Sequence, residues 1–329
     1  MKKSLLALAA LGAFASAASA QSTVTLSGSV DLGIQRANGV YSMTNGGSSR
    51  TNFTLSGSED LGGGMRAVFL ANHRFNANNG TARDGAVFWR QAWVGLSGGF
   101  GTVTLGKQLP PLQILNGNMD PWVADYVGSV HTGGSVAGHS VSGSRYNNSI
   151  LYTSPSMGGL QFMAIIAAAD DNAELTFNGN RGAKERPLGL GIDYSGGPVR
   201  VSLAYDRNAD DKKTLGAYAS YTIGAATLMT QFEKFDSYLA APKDELSRWS
   251  VGAKISMGAA VVKLGYAKWS DENRKKFGVG ADYFLSKRTN LYVNAGKLSG
   301  NGLAGVNGGG TLNADARKAR FDMGVQHRF

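Results

Sequence analysis

Along most of this chain, apolar side chains recur at every second position. At the C-terminal end Ala319, Phe321, Met323, Val325, His327 and Phe329 share one face, and Lys318, Arg320, Asp322, Gly324, Gln326 and Arg328 share the other. A period of two marks an extended strand with unlike faces, whereas a helix would scatter both sets around its circumference. Val24, Leu26, Val30, Leu32 and Ile34 likewise oppose Thr23, Thr25, Ser27, Ser29, Asp31 and Gln35. The same alternation runs through Val199–Asp206, Arg248–Ile255 and Phe277–Phe284. A slip of one residue would carry Arg248 and Lys254 onto the apolar face, so the register is well determined.

Sixteen such segments are predicted, near residues 22–36, 49–60, 65–75, 86–97, 100–107, 145–153, 159–168, 187–195, 198–207, 212–222, 225–235, 246–257, 259–268, 275–285, 288–298 and 318–329. Short connections such as Gly62-Gly63-Gly64, Gly98-Gly99, Met157-Gly158 and Gly196-Gly197 read as tight turns, where glycine supplies positive φ. Longer ones at 37–48, 76–85, 169–186, 236–245 and 299–317 read as exposed loops. Strands of about ten residues with an apolar and a polar face, joined by short turns at one end and long loops at the other, are the pattern of a transmembrane β-barrel. The fold class is therefore all-β, a 16-stranded antiparallel barrel, with eighteen strands as the alternative count. An even strand number brings both ends of the wall to the short-turn side.

One connection differs. Residues 107–144 carry Leu109, Leu112, Ile114, Leu115, Trp122, Val123 and Tyr126, more apolar surface than a solvated loop needs. Such a segment is expected to fold inward and pack on the barrel wall.

The N-terminus has its own apolar run. Lys2 and Lys3, then Leu5 to Phe14, then Ala18-Ser19-Ala20 give the three parts of a cleavable signal peptide over residues 1–20. The chain of 329 residues has 46 Gly and no Cys, which removes thiolate metal sites and cysteine nucleophiles. Apart from the leader no apolar run exceeds eight residues, too short for a helix that needs about 20 to cross a bilayer. The formal net charge is +10, two of it from the leader lysines, and the bases are dispersed among strands rather than gathered in a nucleic-acid-binding patch.

The sequence resembles the trimeric Gram-negative porins, of the type found in β-proteobacteria. The resemblance rests on Ser56-Gly57-Ser58-Glu59-Asp60-Leu61-Gly62-Gly63-Gly64, Arg90-Gln91-Ala92-Trp93-Val94-Gly95-Leu96 and Gly101-Thr102-Val103-Thr104-Leu105-Gly106-Lys107-Gln108. Arg145 to Pro155 and the terminal Gly324 to Phe329 complete it. It implies sixteen strands, a homotrimer, a third loop folded into the lumen, and Phe329 as the signal read by the barrel-assembly machinery in an outer membrane of lipid and lipopolysaccharide. Lys107 departs from the arginine commoner at that position, which leaves a role there open.

Parity places Arg50 in the lumen with Asn52 and Thr54. It also places Arg90 inward, with Trp89, Gln91 and Trp93 on the other face, and Arg145 at the head of a strand with Tyr146, Ile150 and Tyr152 outward. The resemblance implies a wall cluster of arginines at these three positions, facing the infolded loop with Asp120 and Asp125 as its acids. Arg66, Arg74, Arg200, Arg248, Lys254 and Lys263 add inward bases, against the inward acids Asp31, Asp206, Glu233, Asp282 and Asp322. The lining charge of a constriction sets which ions are favoured, so a channel for small hydrophilic solutes that prefers anions is expected. The alternatives are a substrate-specific anion channel and, in another class, a surface adhesin.

Catalysis and cofactors find no support. His73, His131, His139 and His327 make no metal-ligand spacing, and no nucleophile elbow occurs. A barrel lipase would need a histidine on an outward strand face, and His327 is the one candidate read there. The acidic run Asp170-Asp171-Asn172-Ala173-Glu174 reads as a solvated loop ahead of a calcium site.

Overall fold

The computed structural model describes residues 22–329 except 38, 84–87, 124–126, 131–144, 169–184, 210, 237–244, 271–273 and 300–318. The leader, Asp125, His131, His139 and the acidic run at 170–174 lie outside the described residues.

The wall is built from β1 (Thr23–Ala37), β3 (Asn52–Gly62), β4 (Met65–Asn76), β6 (Gln91–Gly98), β7 (Gly101–Gln108), β8 (Tyr146–Thr153), β9 (Leu160–Ala167) and β10 (Leu188–Gly196). It continues through β11 (Val199–Arg207), β12 (Lys213–Ile223), β13 (Ala226–Asp236), β14 (Glu245–Met257), β15 (Ala260–Trp269), β16 (Lys275–Phe284), β17 (Thr289–Ser299) and β18 (Arg320–Arg328). Each pairs antiparallel with the next, and β18 pairs back onto β1 from Ser29↔Arg328 to Arg36↔Phe321, which closes a sixteen-stranded ring. At this seam Gly28 and Phe329 exchange both backbone hydrogen bonds, at 3.1 Å each. Closure leaves no sheet edge, the condition for a β-structure to sit in lipid.

Two further strands lie inside connections read as plain loops. β2 (Val40–Asn45) folds back on the loop-side half of β1, and β5 (Thr81–Ala82) pairs with the end of β4. The 37–48 connection is therefore not simply an exposed loop. After β2 the chain turns inward, and residues 46–50 bond to the inner faces of β1, β17 and β18.

The two faces follow side-chain parity. Val24, Leu26, Ile34, Val201, Leu203, Trp249, Val251, Phe277, Met323 and Val325 point outward and are exposed on the single chain. Asp31, Asp206, Glu233, Arg248, Lys263, Asp282 and Asp322 point inward and are buried. Val251 sits midway along β14, so Val251→Lys should destabilise the folded barrel in lipid by about 2–4 kcal/mol. Folding into vesicles titrated with urea measures this; an unchanged midpoint would place Val251 away from lipid.

The segment after β7 enters the barrel. It forms helix α1 (Pro111–Gly117), started by Pro111 in the first turn, where its missing N–H costs nothing. Leu112, Leu115 and Met119 bury against Met163, Ala204 and Tyr218 of the inner wall. Further on, Val130 buries with Phe235, Leu246, Ala267 and Trp269. The wall makes room by glycine. A Cβ at Gly191 would meet Pro111 at 2.8 Å, one at Gly252 would meet Pro121 at 2.6 Å, and one at Gly265 would meet Val130 at 2.6 Å. At Gly278 and Gly296 it would overlap the carbonyls of Gly128 and Val127. These inward glycines form a shelf on which the loop backbone lies directly.

Candidate functional site

The charges inside the barrel are unevenly distributed. Among the described residues, every buried carboxylate on the inner face of the wall sits on β1 or on the arc from β10 to β18: Asp31, Asp193, Asp206, Glu233, Asp282 and Asp322. The arc from β3 to β8 carries bases at its loop end. Arg74 pairs across from Asn52, two residues after Arg50; Arg83 N–H donates to Arg74 O and Arg90 N–H to Asn72 O, at 3.1 and 2.8 Å. Arg145 lies on the same arc, buried at the head of β8. In that arc the described acids, Glu59 and Asp60, stand exposed at the short-turn end of β3.

Alternation alone misplaces two neighbours of these arginines. Val94 and Leu96 face outward, so Gln91 and Trp93 are on the lumen side with Asn72 and Leu70. Trp89 does face outward, its ring 6.3 Å from Phe53, 6.4 Å from His73 and 4.8 Å from Phe88. The chain bends at Arg90, ahead of β6, and the bend breaks the parity carried from Trp89. Tyr146, expected outward, is fully buried on the inner side, its hydroxyl donating to Asp206 Oδ1 at 2.5 Å. Asn148 at φ +46° and the skip in pairing between Gly106 and Gln108 mark the irregularity that reverses the strand's parity there. His73 also lies on the outward face, stacked on Phe88 at 4.2 Å, so His327 is not alone there.

Several inward bases are already neutralised. Arg200 makes a bidentate pair with Asp193, at 3.0 and 2.9 Å, and Ser202 donates to the same carboxylate. Lys263 pairs with Asp282 at 2.5 Å, with Lys254 in electrostatic range of both. Arg248, only 1% exposed, pairs with Glu233 at 2.8 Å. Asp193 was absent from the inward acids read from sequence, although Leu190, Ile192 and Tyr194 on the opposite face place it by the same rule.

The wall also clamps the infolded loop through its peptide groups. Arg248 Nη1 donates to Val130 O at 3.1 Å, Gln231 Nε2 to Met119 O at 2.7 Å, and Trp122 Nε1 reaches Asn294 Oδ1 at 2.8 Å. Asp120 is 0% exposed; it accepts hydrogen bonds from Ser129 Oγ at 2.5 Å and Val130 N at 3.3 Å. Its carboxylate organises the turn of the loop instead of being presented to open lumen.

Arg50 is positioned by a second inward segment. Asp31 gathers the backbone N–H groups of Gly47, Ser48 and Ser49 at 3.3, 2.8 and 2.5 Å, and the Tyr292 hydroxyl at 2.8 Å. The Arg50 carbonyl then accepts from Ser29 Oγ at 3.0 Å and Asn52 Nδ2 at 2.6 Å. A buried carboxylate with four donors is well compensated, and it fixes the segment that carries Arg50. Sequence reasoning missed this device, because three consecutive amides converging on one acid leave no side-chain signature.

Comparison with known proteins places this architecture. A family model described as Gram-negative porin matches residues 7–303. Outer membrane porin protein 32 of Delftia acidovorans is 32% identical over the whole of both chains, and an outer membrane porin protein of Bordetella pertussis is 29% identical, again over both whole chains. Among solved structures, an anion-selective porin from Comamonas acidovorans superposes with a TM-score of 0.77 at 26% identity, covering 94% of this chain and 100% of that one.

Proposed function

Because the chain belongs to the Gram-negative porin family, an outer-membrane channel for passive diffusion, we propose that this one prefers anions and that the basic arc sets the preference. The observation that carries the reading is the uneven distribution of charge: Arg50, Arg74 and Arg145 belong to the arc from β3 to β8, with Arg90 just ahead of β6, while the buried wall carboxylates sit on β1 and on the arc from β10 to β18. Guanidinium groups keep their charge even when crowded. Two of them about 5 Å apart repel by roughly 3 kcal/mol at an effective dielectric of 20, which favours an anion between them. Acids already held by Arg200, Arg248 and Lys263 weaken the opposing pull on cations. The solved relative carrying the words "anion-selective" agrees in sign.

In a salt gradient across a planar bilayer, the reversal potential should have the sign of anion preference, and a cation-sided potential would sink the reading. Arg50→Ser with Arg145→Ser should reduce the anion-to-cation permeability ratio several-fold while leaving assembly intact. An unchanged ratio would remove both residues from the constriction.

The remaining parts of the proposal concern biogenesis. Residues 1–20 act as a cleaved export leader, Phe329 at the seam is read by the assembly machinery, and three copies associate. The aromatic cluster of Phe53, His73, Phe88 and Trp89 on the outer side of β3 and β4 supports self-association through that face.

A further inference from the structure

A cavity of about 490 Å³ opens where the basic arc meets the long-loop end of the barrel. It lies between β2, the turn after β4 and the infolded loop, whose Val127 forms part of its floor. We propose that this cavity is a saturable site for small hydroxylated monocarboxylates, of the sugar-acid class. The inference rests on the anion-preferring reading above and narrows it to a kind of solute.

The volume falls within the range of about 300–1,000 Å³ usual for small-molecule sites, but the lining is unlike an ordinary apolar pocket. Two guanidinium groups, Arg50 and Arg83, supply cationic forks that match a carboxylate. Around them stand the carboxamides of Asn78 and Asn79, a group that can both donate and accept, while those of Asn45 and Asn76 are engaged in holding the wall. Carboxamides so placed suit hydroxyl groups, which also do both. Val127 and Met43 are the apolar residues of the lining, and Met43 turns its side chain outward beside Ile34, which leaves too little to reward a hydrocarbon ligand.

The site is built and held. Arg83 Nη1 donates to Asn45 O at 2.9 Å, and Asn45 Nδ2 donates to Phe75 O at 2.9 Å and Asn76 Oδ1 at 3.0 Å. These bonds tie β2 to the end of β4 across the cavity wall. Asp322, also on the lining, is held through Asn294 Nδ2 at 2.7 Å. A carboxylate there accepts hydroxyl donors and repels a second negative charge, which selects monoanions over dianions. An uncharged sugar would lose the guanidinium contacts, and a short fatty acid would leave the carboxamides unanswered.

The test is channel current against solute concentration in a planar bilayer, with sodium gluconate as probe and acetate, succinate and glucose as comparisons. Gluconate current should saturate in the millimolar range, while acetate and succinate currents stay linear and glucose does not block. Arg83→Gln should raise the half-saturating gluconate concentration about tenfold, the scale of one lost charge-assisted bond. Asn78→Leu should raise it while leaving the potassium chloride reversal potential unchanged. Linear gluconate current, or equal saturation by acetate, would overturn the site. The chloride reversal potential is a separate reading, so a cation-sided value would fault the selectivity proposal without being confused with loss of the site.

Discussion

Gly278→Leu should lift the infolded loop from its shelf and increase single-channel conductance. The first carbon of any side chain at 278 would occupy the space of the Gly128 carbonyl, a backbone group that has no rotamer to retreat into. Overpacking a fitted contact costs about 1–3 kcal/mol. Each 1.4 kcal/mol is about tenfold in an equilibrium, so a large fraction of channels would hold the loop away from this part of the wall. Gly117→Ala is the control, because a Cβ at Gly117 in α1 meets nothing within 4 Å. If the 278 variant conducts like the parent, the shelf does not set the aperture.

Arg248→Met carries the second large effect, on stability. It removes the partner of Glu233 and the donor to Val130 O in a region closed to solvent. Breaking a buried pair from one side costs about 3–5 kcal/mol, because the remaining charge is left uncompensated. Thermal unfolding in detergent should therefore show a markedly lowered transition. Adding Glu233→Gln removes that charge while keeping an acceptor for the Tyr218 hydroxyl, now at 2.9 Å from Glu233. The double variant should recover most of the loss. Equal transitions in the single and double variants would mean that the pair contributes packing alone.

These two variants show what the sequence pattern did and did not convey. All sixteen wall strands were legible, since lipid on one side and water on the other impose the strict alternation seen from Val24 to Ile34 and from Phe321 to Val325. Alternation failed where the backbone departs from a regular strand, at the bend before Gln91 and at the irregular pairing around Asn148, just beside two of the expected constriction arginines. The inward course of the loop was legible from Leu112, Leu115 and Trp122, which have nowhere else to bury. Its seat was also written in the chain, as inward-parity glycines on β14 to β17, but only strand pairing shows that Gly252, Gly265, Gly278 and Gly296 adjoin. The tally of nine bases against five acids conveyed less than the arrangement, because three of those bases are paired and one acid, Asp193, had been overlooked.

The seam between β1 and β18 has a bearing on how the wall comes into being. Most neighbouring strands meet as local hairpins that zip quickly, but the seam joins the first wall strand to the last and has to wait for all the others. Until then the sheet carries two raw edges, each a template for another chain. No half-built version is both watertight and safe. Deleting one interior hairpin would leave a smaller ring that can still close, whereas losing β18 would leave an open sheet prone to stick to its neighbours.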